Sequence, residues 1–131
     1  MRYAADTNTF LAVALDEPEK AWLIGVTNGC DLAAPATLPY EVGNALSAMV
    51  KRDALHPGQV PGVWDAIGSI PVELTQIDVR AALLLAVRCD IYAYDAYFLQ
   101  CAIETGSPLL TLDRGLMQVA MTLNIPVVEQ P

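Results

Sequence analysis

Positive charge is scarce in this sequence. Seven Lys and Arg residues stand against fifteen Asp and Glu residues, which gives a formal net charge of −8 over 131 residues. A protein that binds nucleic acid through a generally basic surface is therefore excluded. The chain also lacks an apolar run of the roughly 18 residues that a membrane-spanning helix needs, and its N-terminal segment lacks the long apolar region of a signal peptide. We therefore expect a cytoplasmic protein without a membrane segment.

Cysteine and histidine are scarce as well. The three cysteines, Cys30, Cys89 and Cys101, are odd in number and never form a C-x-x-C pair. This pattern argues against a disulfide-stabilised scaffold or a zinc ribbon and favours a reducing compartment. The single histidine, His56, precedes a proline in a predicted turn, and we assign it no catalytic role.

Hydrophobic residues make up 54% of the chain, enough for a sizeable core, so we expect a single domain over residues 1–131. Short apolar segments alternate with longer segments of helical period. The predicted strands are Tyr3–Ala5, Leu32–Ala34, Pro71–Leu74, Pro108–Leu112 and Pro126–Val128. Seven helices are predicted. The first has its N-cap at Thr7 or Asn8 and ends at Leu15, and the third has its N-cap at Thr37 and ends at Arg52. The others run from Glu19 to Thr27, Val60 to Gly68, Asp78 to Val87, Asp95 to Thr105 and Leu116 to Leu123.

This alternation predicts an α/β fold, in which a parallel sheet has helices on both faces. The helix Asp78–Val87 is apolar on most sides, so we expect it to be deeply buried. In such folds, functional residues gather beyond the carboxyl ends of the strands. The residues that follow each strand are therefore the first candidates for a functional site.

Four acidic residues lie where predicted elements end or begin. Asp6 directly follows the first strand, and Asp113 directly follows the strand that ends at Leu112. Glu41 lies early in its helix. It flanks the apolar stripe of that helix, because on a helical wheel it is about 40° from Ala45, which belongs to the stripe. Asp95 opens a late helix among aromatic residues. Each acid alone could serve as a helix cap or a turn former.

All four acids together predict more than capping. Carboxylates that converge in one pocket repel each other unless protons or a cation neutralise them. The ligands are oxygens, with no His or Cys nearby, so the cation that fits is Mg²⁺ or Mn²⁺. The sequence thus predicts a metal site formed by Asp6, Glu41, Asp95 and Asp113.

The motifs around these acids resemble those of a known family. They are Asp6-Thr7-Asn8 after the first strand, Tyr40 to Leu46 (YEVGNAL) on a helix, Tyr94 to Tyr97 (YDAY) and Thr111 to Arg114 (TLDR). In this order and at these positions they resemble PIN-domain ribonucleases, and most of all the VapC-type toxins of bacterial and archaeal toxin–antitoxin pairs. The resemblance extends over the whole chain.

The resemblance implies a three-layer α/β/α PIN-like domain with a central parallel sheet of four or five strands. It also implies a Mg²⁺- or Mn²⁺-dependent endoribonuclease, a homodimer, and a cognate antitoxin protein that blocks the active site. Asp6, Glu41, Asp95 and Asp113 match the family's acidic quartet, and Thr7, Asn8 and Thr111 match polar residues that orient ligands and waters. Some relatives have a further Asp or Asn beyond the last acid, where this chain has Leu116 and Met117, so the number of metal ions stays open.

Because the protein is acidic overall, binding of an RNA substrate requires positive charge near the site. Arg114 lies beside the last acid, and Lys51 and Arg52 end the helix that contains Glu41. We expect these three residues to contact RNA, although Lys51 and Arg52 could equally serve the C-terminal dipole of their helix. Tyr94 could stack on a base.

Other classes of α/β protein fit the sequence less well. A receiver domain needs a late Lys and an early pair of neighbouring acids that includes Asp6, a dinucleotide-binding domain needs G-x-G-x-x-G, and an aspartate phosphatase needs D-x-D after the first strand. None of these features is present in the 131 residues. The remaining alternative is a PIN-like binding or regulatory module without catalysis. The four acids are intact in this sequence, which argues against that alternative.

Overall fold

A computed structural model describes residues 1–130. Its strands are β1 (Arg2–Ala5), β2 (Asp31–Pro35), β3 (Glu73–Thr75) and β4 (Leu109–Leu110). They form one sheet in the order β3-β2-β1-β4, and every neighbouring pair is parallel. The central strands contain buried alanines, Ala4 and Ala5 in β1 and Ala33 and Ala34 in β2, so helices can pack closely on both faces.

Helices cover both faces of this sheet. They are α1 (Thr7–Ala14), α2 (Lys20–Thr27), α3 (Leu38–Lys51), α4 (Val60–Gly68), α5 (Val79–Cys89), α6 (Ala93–Thr105) and α7 (Arg114–Thr122), with a 3-10 turn at Pro57–Gln59. The first four helices pack against one another, whereas α6 packs against β1, β2 and β4 and has α5 beside it. The predicted three-layer α/β/α architecture with a central parallel sheet is confirmed.

The order of the strands determines where a site can form. From β1 the chain moves outward through β2 to β3, and then returns to place β4 on the other side of β1. The direction of winding therefore changes between β1 and β4, and a crevice opens beyond their carboxyl ends at such a point. Asp6 follows β1 there, and Asp113 comes three residues after the end of β4.

The strands at the edges differ from those predicted. The predicted strand Pro108–Leu112 shrinks to Leu109–Leu110, because its partner β1 ends at Ala5. The predicted strand Pro126–Val128 is a single bridge between Val127 and Leu109, flanked by a proline that cannot donate a hydrogen bond. The predicted strand Pro71–Leu74 starts later, at Glu73, where its pairing with β2 begins.

Helix starts were also predicted at wrong residues, and α7, for example, begins at Arg114 rather than Leu116. The N-cap of α1 is Asp6 rather than Thr7 or Asn8, because the Asp6 carboxylate accepts the Thr9 N–H. Helix α6 begins at Ala93, so Asp95 lies in its first turn instead of opening it. The left-handed backbone of Asp90 (φ 54°) ends α5 abruptly and leaves room for this earlier start.

The expectation of a deeply buried α5 is wrong. Only its small residues, Ala82 and Ala86, are buried, and they pack against Ala96 of α6. Alanines allow the two helices to approach closely. Leu85 packs against the core, whereas the other large apolar side chains of α5 point outward; Val87, for example, is 82% exposed. Among residues 1–130, no helix combines the length and the hydrophobicity needed to cross a membrane.

Candidate active site

A cavity of about 210 Å³ lies beyond the ends of β1 and β4, and all four predicted acids line it. Asp6 and Asp113 come from the residues that follow the two strands, Glu41 comes from the first turn of α3, and Asp95 from the first turn of α6. The structure therefore brings four carboxylates together from positions far apart in the sequence.

Asp6 is the most buried of the four acids, with 5% of its surface exposed. Its Oδ1 accepts hydrogen bonds from the Thr9 N–H (3.1 Å) and the Thr9 hydroxyl (2.8 Å), and its Oδ2 accepts one from the Thr111 hydroxyl. Burial raises the pKa of Asp6; these hydrogen bonds oppose the shift, and the charge of Asp113 adds to it. Three donors thus fix the orientation of this carboxylate.

Asp113 is connected to Asp6 through Thr111. The Thr111 hydroxyl, which is fully buried, also accepts the backbone N–H of Asp113 at 3.0 Å. The Oδ1 of Asp113 accepts the Leu116 N–H at 3.1 Å and so caps α7. Its Oδ2 has no hydrogen-bond partner within residues 1–130 and is the oxygen left available to a ligand.

Glu41 and Asp95 face each other from two helices. Burial raises the pKa of Glu41 to about 8; the Thr37 hydroxyl opposes this shift, and the charges of Asp95 and Asp6 add to it. Thr37 precedes α3 as predicted, but its hydroxyl contacts the Glu41 carboxylate (3.5 Å) and makes no cap. Burial and, to a smaller extent, the charge of Asp113 raise the pKa of Asp95.

The four acids repel each other in a closed ring. Asp6 is affected by the charge of Asp113, Asp95 by that of Asp113, and Glu41 by the charges of Asp95 and Asp6. No Lys or Arg within residues 1–130 lines the cavity to offset this charge. The repulsion is relieved by protons or by a cation.

The residues present fit a hard divalent cation in their chemistry. All four acids offer carboxylate oxygens, and Thr7, which also lines the cavity, has a buried hydroxyl without a hydrogen-bond partner within residues 1–130. In the same part of the chain, no group of three or more His, Cys, Asp and Glu residues forms a metal-binding arrangement. The carboxylates therefore surround a common space rather than a preformed ligand cage.

Some of the other predicted site residues line the acidic cavity, and others lie outside it. Thr7 and Asn8 line it, and Thr111 supports Asp6 from behind. Arg52 lines an adjoining cavity of about 530 Å³, which shares Asn8 and Asp113 with the acidic one. Lys51 is exposed beside Arg52.

Of the two remaining candidates for RNA contact, Tyr94 lines the acidic cavity and Arg114 does not. Arg114 is the first residue of α7 and lines a separate cavity with Met117 and Gln118. Tyr94 lines the acidic cavity and packs edge to face against Tyr97, with ring centroids 5.7 Å apart.

Sequence reasoning missed two residues of this site. Thr9 gives Asp6 two hydrogen bonds, and its position three residues after a capping Asp could have indicated this. Asn44 lines the cavity from α3, and its spacing of three residues from Glu41 places both on one face of the helix.

The chain matches a known protein family over most of its length. Residues 3–121 match the PIN domain family. The chain belongs to this family. It is 30% identical over 100 residues to Ribonuclease VapC3 of Pyrobaculum aerophilum, and this match covers 73% of the present chain and 72% of the relative. The sequence-based resemblance to a PIN-domain protein of the VapC type is confirmed.

A solved structure supports the fold of this PIN domain. The crystal structure of PAE2754 from Pyrobaculum aerophilum superimposes with a TM-score of 0.68 and covers 91% of this chain and 87% of that one. At 23% sequence identity, this similarity concerns the fold alone.

Proposed function

We propose that this PIN-domain protein is a metal-dependent endoribonuclease that acts in the cytoplasm as the toxin of a type II toxin–antitoxin pair. The observation that carries the proposal is the closed ring of repelling carboxylates around one cavity. The similarity to Ribonuclease VapC3 supports RNA as the substrate. It also supports a cognate antitoxin protein as a partner.

The proposed cofactor is Mg²⁺ or Mn²⁺, held by Asp6, Glu41, Asp95 and Asp113. Such an ion would make water a better nucleophile and would offset negative charge on the phosphoryl oxygens. We expect Asp6 and Asp95 to be the strongest ligands, and Glu41 and Asp113 to act through water or as the general base. A 5′-phosphate and a 3′-hydroxyl are the expected products, because one histidine provides no pair for 2′-hydroxyl chemistry.

The side chains that line the cavity have different roles in this proposal. Asp6 keeps one orientation, because Thr9 and Thr111 hold both of its oxygens. Glu41 holds a proton more readily than an ordinary carboxyl does in the metal-free site, because burial raises its pKa to about 8. Thr7 offers an unpartnered hydroxyl to a ligand or a water in the cavity.

RNA would contact the protein outside the carboxylates. Arg52 lines the cavity that adjoins the acidic one, together with Glu17 and Glu19, and Lys51 and Arg114 are exposed. Arginine pairs well with phosphate, and Tyr94 at the cavity presents a ring for base stacking. These residues would contact the RNA phosphates and bases although the protein is acidic overall.

We also infer a homodimer that forms through α5. Val79, Leu83 and Val87 recur every fourth residue on its outward face, and Leu84 extends them into the exposed α5 stripe. A stripe that is symmetric about Leu83 matches itself when two copies pack antiparallel on a two-fold axis.

Charge supports the same antiparallel arrangement. Each end of α5 has one acid and one base, Asp78 with Arg80 at its start and Arg88 with Asp90 at its end. An antiparallel pairing brings the start of one helix beside the end of the other, so opposite charges can meet around the apolar stripe.

The nuclease proposal is tested by incubating the protein with transfer RNA and ribosomal RNA, with Mg²⁺, with Mn²⁺ or with a chelator. We expect discrete fragments with 5′-phosphate ends only when a divalent ion is present. RNA that stays intact under all conditions, with a protein that still binds RNA, would favour the catalytically inert PIN-like module.

A further inference from the structure

The acidic cavity has a shortage of hydrogen-bond donors. Carboxylates only accept hydrogen bonds when ionised, and the phosphate oxygens of RNA also only accept. No Lys or Arg within residues 1–130 lines the cavity. Besides a cation, an RNA strand that enters this cavity therefore needs uncharged donors on its wall.

Two side-chain amides occupy suitable positions on the wall. Asn44 lies on α3 one turn after Glu41, and Asn8 lies in the first turn of α1. Both line the cavity and both are exposed, whereas Asp6 and Thr7 are buried. The amides therefore lie nearer to the solvent, where a strand would enter.

The amide of Asn44 is available for a ligand. Its backbone carbonyl accepts the Ser47 hydroxyl at 3.0 Å, but its side-chain NH₂ group has no acceptor within residues 1–130. Helix α3 is 14 residues long and holds the Asn44 backbone rigidly beside Glu41. An amide has no charge, so it can approach a phosphate without adding to the repulsion of the four acids.

We propose that Asn44 is a substrate-binding residue. Its amide N–H donates a hydrogen bond to a non-bridging oxygen of the RNA phosphate next to the scissile one, and Asn8 provides a second donor from α1. The inference rests on the proposed ribonuclease activity and adds to it a residue that recognises the RNA backbone. Because the contact is to a backbone phosphate, it is independent of the base sequence.

The experiment compares Asn44→Ala and Asn44→Asp with wild type, using a pool of short fluorescent RNA oligonucleotides and Mn²⁺. We expect Asn44→Ala to raise KM about tenfold, the loss of one hydrogen bond to a charged group, with kcat nearly unchanged. Asn44→Asp keeps the shape but removes the donor and adds charge, so we expect a larger rise. Asn28→Ala, which removes an exposed amide at the opposite edge of the sheet, is the control and should behave as wild type.

Binding of the same RNA pool separates this inference from the proposed function. If wild type cleaves and Asn44→Ala has an unchanged KM, the role of Asn44 is refuted while the nuclease stands. If wild type binds without cleavage and Asn44→Ala binds about tenfold more weakly, the nuclease is refuted while the role of Asn44 stands. If wild type neither binds nor cleaves, both are refuted.

Discussion

The hydroxyl of Thr111 donates a hydrogen bond to the carboxylate of Asp6, which lies 105 positions earlier in the sequence. The same hydroxyl oxygen accepts the backbone N–H of Asp113 at 3.0 Å. One buried side chain therefore positions two of the four acids and joins the residues that follow β1 and β4. Within residues 1–130, the other side-chain hydrogen bonds of Asp6 are to Thr9, only three residues away.

Replacing Thr111 with valine keeps its shape and removes the hydroxyl. We expect cleavage to fall about 10- to 100-fold, the usual effect of losing a partner that orients a metal ligand. The free energy of unfolding should fall by about 1–2 kcal/mol, because a buried polar partner is lost. Thr111→Ser keeps the hydroxyl and is the matched control. Equal activity of Thr111→Val and Thr111→Ser would contradict the positioning role.

Asp6→Asn removes the charge of the most buried acid and keeps its shape. We expect cleavage to be abolished while the fold persists, because the amide oxygen can still accept the Thr9 N–H that caps α1. Cleavage assays and thermal unfolding measure the two effects separately. Full activity of this variant in added Mg²⁺ would show that Asp6 is not part of the active site.

The raised pKa of Glu41 predicts how stability depends on pH without metal. The carboxyl binds its proton up to about pH 8 in the folded protein, but only up to about 4.5 when unfolded. Between these values the folded state binds more protons, so stability falls as pH rises. The raised pKa values of Asp6 and Asp95 act in the same direction.

Denaturant unfolding at pH 5 and pH 8 in the presence of a chelator measures this effect. We expect Glu41 to account for about 1–2 kcal/mol of the loss, well below the full shift, because solvent screens a half-buried group. Glu41→Gln should reduce the loss. Stability that is independent of Glu41 over this range would contradict the account.

The exposed α5 stripe predicts a dimer that one substitution disrupts. Leu83→Asp puts a charge at the centre of the proposed two-fold interface, and we expect a monomer by light scattering after size-exclusion chromatography. Ile24→Asp on α2, where Ile24 is exposed to a similar degree, is the control and should remain dimeric. A wild-type protein that is monomeric at all concentrations would refute the interface.

Much of the site could be predicted because each acid is defined by local sequence. Asp6 and Asp113 each follow a buried strand, and parallel strands bring their carboxyl ends to one edge of the sheet. Glu41 follows from helical spacing, because it flanks the apolar stripe of α3. Local patterns of this kind lead to the right elements even where an end is misplaced by a few residues.

The burial of α5 could not be predicted from its composition. An apolar helix is buried only if another element covers it. Here α6 packs against the face of α5 that contains Ala82 and Ala86. The resemblance assigns Thr111 an orienting role, but its partner Asp6 could not be predicted, because the side-chain direction depends on β4 ending at Leu110. Both features depend on how whole elements pack, which local spacing does not encode.

The central claim is that Asp6, Glu41, Asp95 and Asp113 bind a divalent ion together. Calorimetric titration of metal-free protein with Mn²⁺ at pH 8 tests it most directly, with Asp95→Asn and the distant surface variant Asp65→Asn for comparison. We expect micromolar binding that Asp95→Asn weakens at least tenfold and Asp65→Asn leaves unchanged, since one carboxylate ligand is lost in the first variant only. Binding no tighter than millimolar in wild type, or equal affinity in all three proteins, would contradict the account.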